Sequence, residues 1–332
     1  MRAELGRDVR GRGTLEARRA GRVRFWVPFF LVAAGSIWAL QRLAGPVEAA
    51  DFTRIDLHRL RLQPTQGGFC DPRWELEFQA KLAGMPAPDS HDPEALAAVA
   101  AKLAELPFVA EAGTPRVIWP DGVEVPVRLR EPVACVRTGQ EFRLVSEDGI
   151  LLPCNWAETP VVAGRPLPVI GPNDGAFDKR PAGWRLSERR HQDALAVAVS
   201  MRRGLPAEDA ATLGPLLIDA TRSPATSVEE PGTLLELGEQ RLVLFGRAPG
   251  SGEPGELPDE LKWRSLARAA ELLRGSEGQP AQDWSVVDLR WDTPAIRPRD
   301  PNAPEQPLEL PKKSPAAPQK KLVTPPKTSG VR

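Results

Sequence analysis

Residues Phe25–Leu40 read FWVPFFLVAAGSIWAL, sixteen residues without a charge. A helix this apolar has no polar face to turn toward water, so it must be buried or enter a bilayer. A span needs ~20 apolar residues, with a usable range of ~17–25. Arg42 can snorkel and let the helix continue to Val47, giving a candidate transmembrane helix over 25–47. Trp26 and Trp38 sit near its ends, where interface aromatics belong. Residues 1–24 carry eight Arg against Glu4, Asp8 and Glu16. That basic leader places the N-terminus in the cytoplasm and everything after the span on the far side of the membrane. A buried core helix and a cleaved signal peptide ending near Val47–Ala50 are the competing readings. The long leader favours a retained anchor.

The remaining composition sets further limits. The 332 residues suggest about two domains at ~150 residues each. Lys+Arg and Asp+Glu both number 44, so the chain is not a globally basic nucleic-acid binder. The three cysteines, Cys70, Cys135 and Cys154, form neither a CxxC pair nor a Cys/His cluster, which argues against structural zinc. No P-loop, GxSxG or HExxH pattern occurs. His191 follows Arg189 and Arg190 at the start of a predicted helix, a position that suits capping or exposure. The reading is a non-enzymatic chain with no cofactor, no metal, no small-molecule substrate and no nucleic-acid partner.

The pattern after residue 51 mixes periods of 3.6 and 2. Phe52–Gln63 reads as a strand with a bulge. Trp74, Phe78 and Leu82 mark a helix. Asp92–Leu106 is a second helix, with Ser90 as its cap and Leu96, Val99, Leu103 and Leu106 on one face. Thr114–Trp119 reads as a strand. Val123, Val125, Val127 and Leu129 alternate with polar residues, and Pro126 points to an edge or bulge. The order strand, helix, helix, strand, strand makes an α/β unit over 51–131. From Pro132 the chain is mostly β. Predicted strands lie at Pro132–Thr138, Phe142–Val145, Ile150–Leu152, Leu167–Ile170, Pro215–Asp219, Gly232–Leu237, Arg241–Phe245 and Val286–Trp291. Helices are predicted at Glu188–Arg203, with Gly204 as its C-cap, and at Lys262–Arg274, with Trp263, Leu266, Ala270 and Leu273 facing inward. The fold class is α+β. Residues 298–332 hold scattered Pro and Lys without aromatics and read as a disordered tail.

Five motifs in this order resemble the FtsQ/DivIB family of division proteins. They are Leu106–Val136, with Trp119-Pro120 and the ending Arg130-Glu131-Pro132-Val133-Ala134; Glu147-Asp148-Gly149-Ile150; the hairpin ending Phe245-Gly246; Lys262 ahead of an apolar helix; and Val287-Asp288-Leu289-Arg290-Trp291. The resemblance implies a single-pass inner-membrane scaffold. It would have a POTRA domain over 51–131 and a β-rich domain over 132–297. It would act at the division septum, linking early and late septal proteins. In that family the last strand is an exposed edge where FtsB, in complex with FtsL, adds a strand. The corresponding residues here are Arg290, Trp291, Asp292 and Thr293. Pro294 removes one donor from such a ladder. Two other readings remain: a POTRA adaptor of an outer-membrane assembly or secretion system, and a membrane-anchored wall enzyme using Asp174, Asp178 or Glu188.

Overall fold

A computed structural model describes residues 32–40, 42, 54–65, 69–118, 122–172, 174–225, 229–250, 256–275, 280–300 and 302–308. Residues 32–40 are helical, with Val32, Ile37, Trp38 and Leu40 exposed. No helix among the described residues is long and apolar enough to cross a membrane. The leader and most of the predicted 25–47 span lie outside the described residues, as does the tail beyond Leu308. The chain is α+β. It gathers into two compact units that interleave along the sequence. One is drawn from residues up to 63, 82–101 and 113–126, the other from 64–81, 102–112 and 127 onward.

Ahead of the large sheet, the predicted strand over 52–63 breaks into pieces. Arg54 forms a lone bridge to Asp89, Leu57–Arg59 is a 3-10 turn, and only β1 (Arg61–Pro64) is a strand. Asp56 causes the break, because its side chain accepts from the His58 N–H at 2.9 Å and starts the turn. Helix α1 (Trp74–Leu82) matches its predicted bounds. Helix α2 (Pro93–Ala104) is capped by Asp92 rather than Ser90. The Asp92 carboxylate accepts from the N–H groups of Glu94 and Ala95 at 2.9 and 3.1 Å.

Three strands follow: β2 (Val109–Ala112), β3 (Arg116–Ile118) and β4 (Gly122–Leu129). The first of them was not anticipated. Val123, Val125, Val127 and Leu129 are buried as their alternation requires. Pro126 is not on an edge, because β4 pairs with β1 on one side and with β2 and β3 on the other. Strand β3 pairs with residues 122–124 and β2 with 127–129, so Pro126 falls where one partner gives way to the next. Its carbonyl accepts from Gly113 N at 2.7 Å. A Cβ at Gly113 would meet the proline ring at 2.9 Å.

The second unit is organised by a ten-stranded sheet. Its strands are β5 (Pro132–Thr138), β6 (Glu141–Ser146), β7 (Leu151–Trp156), β10 (Val169–Gly171), β11 (Leu216–Asp219), β12 (Thr233–Leu237), β13 (Arg241–Gly246), β14 (Trp284–Asp288), β15 (Ala295–Pro298) and β16 (Gln306–Pro307). The spatial order is β16-β15-β14-β13-β12-β11-β10-β5-β6-β7. A small hairpin, β8 (Val161–Val162) and β9 (Arg165–Pro166), stands apart from it. Helices α3 (Arg189–Gly204), α4 (Ala207–Leu213) and α5 (Asp259–Arg274) supply side chains to one continuous core with the sheet. Helix α4 was not foreseen. The predicted closing strand Val286–Trp291 is β14, ends at Asp288, and is not the last strand. Strands β15 and β16 follow it, and Leu308 is buried in the core, so the predicted tail begins later than residue 298.

Gly204 is helical and not a left-handed cap; the cap is Leu205, at φ −98°. Its lack of a side chain serves another purpose. A Cβ there would stand 2.7 Å from Trp263 Cγ, so the glycine lets α3 and α5 approach closely. Trp263 is buried and donates its indole N–H to Ser200 at 2.7 Å. Gly204→Ala is expected to cost about 1–3 kcal/mol through overpacking. Chemical denaturation of the variant measures this.

Candidate interaction surfaces and the buried polar groups

The residues singled out by sequence separate into three places. Trp119 and Pro120 lie outside the described residues. Glu131 and Pro132 open strand β5. Their partner is Arg202 of α3, which contacts the Glu131 carboxylate and donates to the Pro132 carbonyl at 2.9 Å. The neighbouring arginines are engaged elsewhere: Arg128 pairs with Glu111, and Arg130 with Asp148. Val133 and Ala134 are buried in the core and present nothing to a partner. This end of the sequence motif positions β5 against α3.

Beside it lies a cleft of about 590 Å³ lined by Ala110, Arg128, Leu129, Arg130, Glu131, Ser146, Glu147 and Asp148. Each of its carboxylates is held by an arginine, with Arg203 on Glu147. The charges in the cleft neutralise one another and do not form a pocket of one sign.

The third group, Arg290–Thr293, occupies the bend between β14 and β15 and not a strand edge. Arg290 grips Asp288 through Nε and Nη2 at 3.0 and 2.8 Å and donates to the Glu229 carbonyl at 2.7 Å. Trp291 is 41% exposed and beside the Arg290 guanidinium, so it does not pack in the core. Asp292 and Thr293 are exposed. Pro294 precedes the β15 ladder and disrupts none of it; its carbonyl accepts from Leu308 N at 2.8 Å. The outermost strand at this end is β16, which pairs with β15 through Ala295↔Pro307 and Ile296↔Gln306. The sequence missed it because a two-residue strand ending in proline carries no periodic signal.

The carboxylates considered for catalysis are committed elsewhere. Asp174 and Glu188 both bind Arg190 at 2.9 Å, and Asp178 accepts from Gly139 N at 2.8 Å. Among the described residues, no group of His, Cys, Asp and Glu could hold a metal ion. Cys135 is buried in β5, and burial pushes its thiol far above the ordinary range. Cys154 sits in β7 with φ +71°.

Two buried groups were not foreseen. Lys262 is fully buried at the start of α5 and donates to Glu256 at 2.6 Å, with Nζ 4.4 Å from the Phe245 ring centroid. Glu256 also accepts from Arg247 N at 2.8 Å, tying the end of β13 to α5. Burial pulls the Lys262 ammonium below its usual range, against the opposing effect of Glu256. His191 is neither a cap nor exposed. It is fully buried against Phe177, with 4.8 Å between ring centroids, and neither ring nitrogen has a hydrogen-bond partner. Burial lowers its pKa below 6.5; Glu188, 3.7 Å away, opposes this, and Arg190 reinforces it. No family profile matches the chain, and no curated protein matches it.

Two predictions follow from these groups. Lys262→Ala leaves Glu256 buried without its counter-charge and is expected to cost about 3–5 kcal/mol. Lys262→Met combined with Glu256→Gln is expected to cost less, and denaturant midpoints compare the two. Burial lowers the pKa of His191 in the folded state, so near and below the unfolded value of 6.5 the unfolded chain binds more protons. Stability therefore falls as pH drops through that value. Asp174 titrates in a lower window: burial raises its pKa, but the Ala176 N–H and Arg190 outweigh burial and leave it lowered. Denaturation between pH 7.5 and 5 is expected to lose most of its pH slope in His191→Phe.

Proposed function

We propose that this chain is a membrane-anchored scaffold of the division septum, of the FtsQ/DivIB kind, acting by protein contacts rather than by catalysis. The observation that carries the reading is the order of five motifs along one chain, from Leu106–Val136 to Val287–Trp291, behind a basic leader and an apolar run. In this reading residues 25–47 span the inner membrane, with the N-terminus in the cytoplasm. Residues 51–131 act as the POTRA domain, and the sheet-bearing part from residue 132 lies outside the inner membrane.

The exposed end of the large sheet supports a partner site. Strand β16 has no neighbour on its outer side among the described residues. A peptide strand can add there through main-chain bonds, with Pro307 offering its carbonyl but no N–H. Trp291, Asp292 and Thr293 stand exposed in the adjoining bend, where they can contact side chains of the added segment. Partners of the FtsB/FtsL kind fit this role.

The test is a fluorescent fusion at the N-terminus, imaged in dividing cells of the source organism. A mid-cell band is expected, and an even envelope signal contradicts the septal role. Trp291→Ala and Thr293→Arg are expected to cut partner recovery about tenfold, equivalent to ~1.4 kcal/mol, without moving the melting temperature. Unchanged recovery removes this bend from the partner site.

A further inference from the structure

Ten outward-facing positions on β11–β15 are Leu217, Asp219, Leu234, Glu236, Leu242, Leu244, Val286, Asp288, Ala295 and Arg297. None of them is buried. Their inward neighbours, such as Ile218, Leu235, Val243, Phe245, Val287 and Ile296, are all buried in the core. A sheet with one solvated face alternates apolar inward with polar outward. This one does not. Leu216-Leu217-Ile218 and Leu242-Val243-Leu244-Phe245 are unbroken apolar runs, the pattern of strands covered on both sides.

Register places these side chains in rows across the strands. One row runs Leu217, Glu236, Leu242, Val286, Arg297. The next runs Asp219, Leu234, Leu244, Asp288, Ala295. The first row is self-complementary. A two-fold axis parallel to the strands, between β13 and β14, lays β13 of one copy over β14 of its mate and β12 over β15. It sets Leu242 against Val286 and Glu236 against Arg297, each contact occurring twice. In the second row Leu234 meets Ala295. Leu244 meets Asp288, whose charge Arg290 already neutralises. Within one chain, Glu236 is exposed, and Arg297 pairs with the exposed Glu305 at 3.3 Å.

We propose that the open face of strands β11–β15 is a self-association surface whose occupant is a second copy of this chain. The two sheets stack face to face with leucines interdigitating, as aligned sheets do at ~10 Å. The four strands that overlie one another, β12–β15, at ~4.8 Å and about five residues at ~3.4 Å cover roughly 330 Å² on each copy. That is the size of a weak, concentration-dependent contact. The inference does not depend on the septal reading.

The test is sedimentation velocity of the full chain in detergent micelles, from about 1 to about 200 μM. The protein is expected to pass from monomer to dimer across this range. Leu242→Asp is expected to abolish the dimer, with far-UV circular dichroism confirming the fold. Glu236→Arg, an exposed change, is expected to raise the dissociation constant at least about tenfold. Adding Arg297→Glu to it is expected to restore the dimer. A wild-type chain that stays monomeric throughout overturns the proposal. So does a dimer indifferent to Leu242→Asp, or a Glu236→Arg defect that Arg297→Glu does not rescue.

Discussion

The buried Lys262–Glu256 pair fixes the relation on which the larger unit depends. Glu256 holds the ammonium of the helix α5 residue and the main chain just after β13 at once. Isolated, either charge would carry a desolvation cost of several kcal/mol; together, with the Phe245 ring beneath the ammonium, they form a locked corner. That corner sets where α5 starts. Trp263, the next residue, then packs against Phe245 with 4.9 Å between ring centroids and reaches the gap left by Gly204. Helix α3 is thereby seated beside α5, and its other residues complete the core over β5, β10 and β11.

The consequence is a sheet with two different faces. The inner face is closed by three helices and carries the core. The outer face over β11–β15 keeps its aliphatic side chains half-exposed. At one end the sheet finishes in the very short β16, beside an exposed Trp291. The proposed scaffold role needs surfaces more than pockets, and these two features are surfaces. The clefts are different in kind, since the larger is lined by carboxylates already satisfied by arginines.

Much of this was legible wherever one periodicity met one burial pattern. Val123, Val125, Val127 and Leu129 announced β4, and Trp263, Leu266 and Ala270 announced the inner stripe of α5. What stayed hidden depended on contacts distant in sequence. Pro126 suits a central strand only because β2 and β3 hand over beside it. Gly204 looks like a cap until Trp263 is placed against it. His191 looks like a surface residue beside two arginines until Phe177 covers it. Leu308 sits in a proline-rich stretch whose composition argues for solvent, yet β16 carries it into the core. The Arg290–Thr293 motif was legible as residues, but its geometry was not. Arg290 is taken up by Asp288 and Glu229, while the residues after it turn outward.

Under the proposed function, this chain works through protein contacts at the β15–β16 end of its sheet. Site-specific photo-crosslinking in dividing cells tests it most directly, with the probe at Thr293 or Gln306 and a control probe at Glu141 in β6. Adducts with small septal membrane proteins are expected at 293 and 306 and none at 141. Equal labelling at all three positions, or no adduct at 293 and 306, would contradict it.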